Sequence, residues 1–444
     1  MALQERGSWT SRVGFVLAAA GSAVGLGNIW RFPYMVGQNG GFAFLIVYLA
    51  IVFTFGLSVM LAEIVIGKAA QRNPVGAFAR LGGGLWPLVG FMGVAAGFII
   101  LSYYSVVAGW TIAYIFKSPA GLLTHTDPKE LGEIFGKFIS DPVQPLIYHA
   151  VFMGLTMLVV LGGIEKGIER WCKVLMPALF GILIVLIVRS MTLEGAFEGV
   201  KFYLRPDFSK INAKVFLSAL GQAFFSLSLG MGAMITYGSY LSREENAISS
   251  AAWVTSLDTA VAFLGGLVVM PAVFAFGFDP AAGPGLTFVT LPAVFAKMPL
   301  GVLWAVLFFV LLFFAALTSS ISLLEVVVAY FVDEMGMSRA RATWIFGLII
   351  FLLGIPSSLS LGIWGDFKIM GKGFFDFMDY LASNILLPLG GIFIALFVGW
   401  FFWDRAVREA TSEGRYPFSW QPLWNVMCKV VAPVGIAWIL VSNL

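Results

Sequence analysis

Charge is what this sequence has least of. Of its 444 residues only 11% are Asp, Glu, Lys or Arg, against about 25% in a usual soluble domain. That deficit, with 59% hydrophobic residues and a mean hydropathy of +0.92, excludes a water-soluble globular chain. A net charge of +3 is too small to point to a nucleic-acid partner. Two cysteines, Cys172 and Cys428, make no disulfide framework. Two histidines, His125 and His149, lack metal-ligand spacing, and no nucleophile–base spacing is visible, so no enzyme chemistry is expected. The phosphate-cradling G-x-x-x-x-G-K-[ST] pattern is missing, which removes an ATP-driven motor. "MALQERGSWTSR" runs straight into the first apolar stretch without a small-residue cleavage site, so no cleavable signal is expected. Short alternating segments of the outer-membrane barrel kind are also missing.

What is there is a series of apolar runs, each about 20 residues or longer, the length a helix needs to cross a bilayer. Eleven spans are expected, at 11–37, 41–69, 87–117, 145–163, 168–190, 212–241, 250–276, 301–332, 340–358, 374–403 and 422–442. Loop 277–300 holds "GLTFVTLPAVF", too short and Pro-interrupted to span, and is expected as a re-entrant hairpin on an extracellular face. Basic residues collect in the short loops of one side. They are Arg6 and Arg12, then Lys68, Arg72 and Arg80, then Lys166, Arg170 and Lys173, and later Arg243, Arg339, Arg341, Arg405, Arg408 and Arg415. Lys/Arg-rich short loops stay cytoplasmic, which puts the N-terminus inside.

Two spans are not clean. "AAAGSAVGLGNIWRFP", Ala18 to Pro33, and "AFFSLSLGMGAM", Ala223 to Met234, carry glycines, serines and an asparagine at mid-membrane depth. They sit five crossings apart. A repeat of five helices inserts its second copy upside down, and paired Gly-interrupted spans in matching positions point to an inverted-repeat transporter. Close helix packing, as at Gly93-x-x-x-Gly97, is the alternative reading of such glycines. Broken spans free backbone amides, which suit a carboxylate, and carbonyls, which suit a hard cation. The hydroxyls of "ALTSS", Ala316 to Ser320, add oxygens, although a membrane Ser or Thr such as Ser322 also bonds back to its own helix. Asp258, deep in a span, is a functional candidate by its cost alone.

"RGSWTSRVGFVLAAAGSAVGLGNIWRFP", supported by "QNGGFAFLIVY", "FFSLSLGMGAMITYGSYL", "TLPAVF" and "FFAALTSSI", resembles the neurotransmitter:sodium symporters, and among them the short bacterial amino-acid transporters. The similarity runs over nearly the whole chain. It departs in span count, since many members have twelve. The resemblance implies an all-α polytopic membrane protein, a LeuT-like 5+5 inverted repeat plus one additional C-terminal helix. The first repeat would be 1–211, the second 212–403 with the re-entrant loop, and 404–444 a cytoplasmic linker and last span.

It further implies two Na⁺ sites. The first would use Ala23, Asn28, Ser226 and Asp258, completed by the substrate carboxylate. The second would use Gly21, Val24, Ala315, Thr318 and Ser319. Substrate-lining positions would be Ala23, Gly25, Leu26, Gly27, Ile100, Tyr104, Phe225, Ser226, Ser228, Met231, Ser319 and Leu323. Monoamine-carrying relatives have Asp at the place of Gly25, whereas Gly25 leaves room for an α-carboxylate. Many members need chloride; here Asp258 supplies the negative charge and chloride is not expected. Two Na⁺ against two carboxylates and one ammonium leave one net positive charge, where without Asp258 there would be two.

Gate pairs would be Arg31 with Asp379 outside, and Arg6 with Asp333 inside, flanked by Trp9 and Tyr240. Arg6 alone reads equally as a solvated loop charge. Glu63 would be structural, holding the broken backbone of span six. Gly167 and Pro177 would mark a segment that unwinds to admit water to the second sodium site, or an ordinary helix start. Glu325 has no assigned role. The expected activity is Na⁺-coupled import of hydrophobic L-amino acids through the inner (plasma) membrane by a chain that suffices as a monomer. A proton-coupled permease of the same fold and a non-transporting sensor are the rivals.

Eleven crossings with the N-terminus inside place the C-terminus outside. A reporter fused after Leu444 is therefore expected to read periplasmic or extracellular. A cytoplasmic reading would mean a miscounted span, most directly at 422–442.

Overall fold

The computed structural model describes residues 7–283 and 285–443. Its helices, in chain order, are α1 (Arg12–Ala23), α2 (Gly27–Gln38), α3 (Phe42–Ala70), α4 (Pro87–Lys117), α5 (Gln144–Leu161), α6 (Ile164–Met191), α7 (Ala213–Ser226) and α8 (Ala233–Gly238). They continue with α9 (Ala247–Ala275), α10 (Gly301–Met335), α11 (Arg339–Leu359), α12 (Phe374–Phe401), α13 (Trp403–Ala410) and α14 (Gln421–Ser442). Among the described residues nine helices are long and apolar enough to cross a bilayer uninterrupted, and α1 with α2 form a tenth, bent by 52°. One two-stranded hairpin, Lys368–Ile369 with Lys372–Gly373, joins α11 to α12. The architecture is the all-α polytopic one expected.

The sixth expected span is divided more deeply than an ordinary kink. α7 has 14 residues and α8 only 6, with the chain non-helical between them. There Ser228, Gly230 and Gly232 take left-handed φ of +54°, +79° and +74°. Two of those three positions are glycine, which has no Cβ to clash in that region. In the first span the break comes at Val24, whose ψ of 107° is extended.

Segment 277–300 corrects its expectation. It holds one apolar helical segment, Leu286–Ala296, rather than a hairpin. The segment is anchored inward: Phe288 is buried, stacked on Phe135 at 5.4 Å and edge-on to Trp110 and Tyr114 at 5.8 and 5.2 Å. The aromatic content of "LTFVTLPAVF" is its anchor, since each such ring buries a large apolar area in a defined geometry.

Both readings of the glycines hold, at different places. A Cβ on Gly93 would lie 3.2 Å from the Gly232 backbone nitrogen, and one on Gly97 3.5 Å from the Leu323 carbonyl. These two are close-packing glycines on α4. Gly167 is another: its Cβ would stand 3.0 Å from the Gly162 Cα. Gly167 and Pro177 both lie within helical α6, which starts with a wide π-type turn over Ile164–Glu169 and is wound throughout. Cys172 and Cys428 are buried and free.

Candidate functional site

The two broken helices meet. Ser228 Oγ, in the α7–α8 break, donates to the Ser22 carbonyl at 2.9 Å, and Gln222 Nε2 donates to the Gly27 carbonyl at 2.8 Å. Side chains of α7–α8 thus satisfy carbonyls beside the α1–α2 break, as groups withdrawn from water must be satisfied. Glu63, fully buried on α3, accepts from the Gly230 N–H at 2.7 Å. That is the structural contact expected of it.

A cavity of about 30 Å³ lies between the breaks. Around it stand Ala23, Gly25, Leu26, Gly27, Ile100, Tyr104, Phe225, Ser228, Met231, Ser319 and Leu323, together with Ser22. Ser226, expected in this lining, turns away toward Asp258. The α1–α2 elbow contributes backbone; α4 contributes Ile100 and Tyr104; α10 contributes Ser319 and Leu323. The Tyr104 hydroxyl accepts from the Leu26 N–H at 3.3 Å. A Cβ on Gly25 would lie 2.6 Å from Ser319 Oγ and 3.1 Å from the Tyr104 hydroxyl. Glycine is the residue this corner can hold.

Behind the elbow is an acid. Asp258 is fully buried on α9, and its carboxylate accepts from Asn28 Nδ2 at 2.7 Å and from Ser226 Oγ at 3.0 and 3.2 Å. Among the described residues no basic side chain pairs with it. A dry carboxylate with neutral partners is a donor set suited to a hard cation. Ala23 is the last residue of α1 and lines the small cavity. Asn28 Oδ1, an expected cation ligand, accepts the Gly25 N–H at 3.0 Å, so the amide presents its nitrogen to Asp258.

The second expected cation position falls where α1 packs on α10. Ser319 Oγ donates to the carbonyls of Ser22 and Val24 at 3.1 and 3.0 Å. Thr318 Oγ1 bonds back to Phe314 and Ala315 of its own helix at 3.1 Å each. Gly21 faces Thr318, where a Cβ would sit 3.2 Å from the threonine Cβ. The five expected residues are brought together as oxygens lining one helix contact. Ser322 bonds back to Ser319 as anticipated, and also accepts from Ser22 Oγ at 2.7 Å.

A second cavity, of about 220 Å³, shares Leu26, Tyr104 and Phe225 with the first and reaches Arg31 and Asp379. These two expected gate residues are not joined by an ion pair. Asp379 accepts from the hydroxyls of Tyr103 and Ser383, both at 2.9 Å, and the Arg31 guanidinium lies 4.9 Å over the Phe225 ring.

At the opposite end, Arg6 lies outside the described residues. Asp333 accepts from the Asn73 N–H at 2.9 Å. Trp9 Nε1 donates to the Tyr237 carbonyl at 2.9 Å, and the Trp9 ring is edge-on to Tyr240 at 6.3 Å. Glu325, unassigned from sequence, belongs to this end. It is fully buried, accepts from the Tyr240 hydroxyl at 2.7 Å, and makes a two-pronged ion pair with Arg339 at the start of α11. Arg339 Nε also donates to the Val160 carbonyl at 2.8 Å. The available signal was a lone acid in one span and a basic residue opening the next. Glu169 was missed as well: its buried carboxylate holds the Thr10 N–H at 2.8 Å and pairs with Lys173 at 2.6 Å.

Comparison with known proteins follows this geometry. The profile of the sodium:neurotransmitter symporter family matches residues 6–130 and 139–444. A sodium-dependent transporter of Bacillus subtilis, YhdH, is 45% identical over 90% of this chain and 88% of its own length. The human sodium- and chloride-dependent taurine transporter is 29% identical over 96% of this chain and 77% of its length. The solved structure of MhsT in complex with L-phenylalanine superposes with a TM-score of 0.90 at 48% identity, covering 99% of this chain and 100% of that one.

Replacing KCl by NaCl is expected to raise the unfolding temperature of the purified protein, since a ligand of the folded state stabilises it by mass action. In Asp258→Asn the half-maximal rise should need at least about tenfold more Na⁺, the equivalent of about 1.4 kcal/mol. An unchanged Na⁺ response would remove Asp258 from the cation's surroundings.

Proposed function

The chain belongs to the sodium:neurotransmitter symporter family, and on that premise we propose that it imports hydrophobic L-amino acids, aliphatic and aromatic, together with two Na⁺ and without chloride. The observation that carries this reading is the make-up of the small cavity. One corner is polar and backbone-lined, with Gly25, Leu26 and the Tyr104 hydroxyl. The rest is apolar, with Ile100, Phe225, Met231 and Leu323. An α-carboxylate fits the corner, where amides at a helix break favour negative charge. A hydrocarbon side chain fits the walls.

The first Na⁺ would sit with Ala23, Asn28, Ser226, Asp258 and the substrate carboxylate. For that, the Asn28 amide would turn its oxygen to the ion. The second would sit with Gly21, Val24, Ala315, Thr318 and Ser319. Both ions lie against the elbow that carries the substrate, so loading either one organises the other. No bond is made or broken in the cargo. The elements α1–α2 and α7–α8 would rock against the rest. The contacts of Trp9 and Tyr240 close the inner side, and Arg31 and Asp379 stand apart on the outer, which is the outward-accessible half of such a cycle.

Uptake of labelled amino acid into proteoliposomes is expected to require an inward Na⁺ gradient and to persist when chloride is replaced by gluconate. Uptake driven equally by a proton gradient in K⁺ would overturn the coupling, and loss of uptake in gluconate would overturn the charge argument at Asp258.

Substrate size is expected to turn on Met231. It closes the cavity between Gly230 and Gly232, both in left-handed conformations. The cavity is small, so a bulky side chain is accommodated best beside a wall that yields. Met, unbranched with three rotatable bonds, is the wall able to do so. Met231→Phe should weaken competition by Trp by about tenfold or more and by Leu less than about threefold, within the 1–3 kcal/mol of a pocket misfit. Equal loss of both, or no Trp competition in the wild type, would clear Met231 of this role.

A further inference from the structure

The cytoplasmic end of α12 carries a feature unconnected with the central site. The helix finishes in a wide turn, Phe397–Phe401, breaks at Phe402, and restarts as the eight-residue α13. At the corner lies a cavity of about 320 Å³ whose lining includes Trp400, Phe401, Trp403, Asp404, Arg405 and Arg408. Its walls differ in kind. Trp400 and Phe401, at the tip of a span, are 64% and 71% exposed, facing where hydrocarbon gives way to headgroups. Arg405 and Arg408, three apart on α13, supply the basic side.

The basic side is held still. Lys68, its side chain fully buried, donates to the Glu409 carbonyl at 2.8 Å, the Ser412 hydroxyl at 2.8 Å and the Glu245 carbonyl at 2.7 Å. Trp403 packs on Trp424 of α14 at 5.1 Å. α13 is therefore a fixed shelf. Arg405 is 3.9 Å from Glu409 and its side chain remains 44% exposed. The ammonium of Lys429 on α14 lies 5.4 Å from the Trp400 ring and 5.9 Å from the Trp403 ring, a third cation at the same corner. Asp404 is the one exposed acid in the lining. Cations at the corner exceed acids even when Glu409 is counted.

We propose that this corner binds an anionic phospholipid, its phosphate between Arg405 and Arg408 and its acyl chains along Trp400 and Phe401. The occupant is an amphiphile because the cavity is one. A free phosphate would satisfy the arginines and leave the exposed aromatic wall uncovered, whereas a lipid covers both. Basic recesses beside spans on the cytoplasmic side are where such headgroups are held. The inference does not rest on the transport reading.

The test uses the full chain, delipidated in detergent, titrated with phosphatidylglycerol or phosphatidylcholine and read by native mass spectrometry. The wild type is expected to retain phosphatidylglycerol at least fivefold over phosphatidylcholine. Arg405→Gln with Arg408→Gln should lose that preference, and Arg405→Lys with Arg408→Lys should keep most of it. Should the double Gln variant fold poorly, Arg408→Gln alone is expected to lower the preference at least twofold. Glycerol 3-phosphate in millimolar excess should displace no lipid. Equal preference in wild type and a folded Gln variant, or displacement by glycerol 3-phosphate, would overturn the proposal.

Discussion

Everything at the centre of this molecule depends on the repair of two broken helices by polar side chains. Interrupting a membrane helix strands amides and carbonyls where no water can reach them, at several kcal/mol for each group left bare. Ser228 on the Ser22 carbonyl, Gln222 on the Gly27 carbonyl and Glu63 on the Gly230 amide each answer one such group. Two of these bonds cross from α7–α8 to α1–α2 and the third ties α7–α8 to α3. What they leave over is the lining of the small cavity and the oxygens around it.

The same logic governs the acid at the proposed first cation position. Asp258 is held by an amide and a hydroxyl, partners that orient a carboxylate without neutralising it. An arginine there would have paired that charge outright. Ser319 works alike on the other side, bridging two carbonyls with one rotatable hydroxyl. Weak, neutral, replaceable bonds are what a binding place for a travelling cation requires.

Much of this was legible in the chain. Hydrophobic length located the spans, because a bilayer sets one length for all of them. The paired glycines of "GSAVGLGN" and "SLSLGMG" located the breaks: Gly230 and Gly232 take left-handed angles that few other residues accept, and Gly25 keeps a corner that a Cβ would fill. Where reading failed, the cause was long-range. Leu286–Ala296 was expected as a hairpin, and only the aromatic stack around Phe288 shows how its single helix is anchored. Gly167 also packs against the backbone of Val159 and Gly162, a contact that sequence alone does not show. Glu325 could not be interpreted until Arg339, on another helix, appeared beside it.

That last pair has a consequence for how cheaply the inner end can open. Tyr240 follows α8, whereas Glu325 and Arg339 belong to α10 and α11. If the first group withdraws, the acid loses one hydroxyl donor, at a net cost of about 1.5–3 kcal/mol for a hydrogen bond to a charged group. It keeps its cation, so no naked charge is exposed to the low dielectric, which would cost several kcal/mol. The charge travels with its own counter-ion, and the moving surface parts from a neutral dipole. A door hung this way can swing often, because the expensive electrostatics stay on the frame.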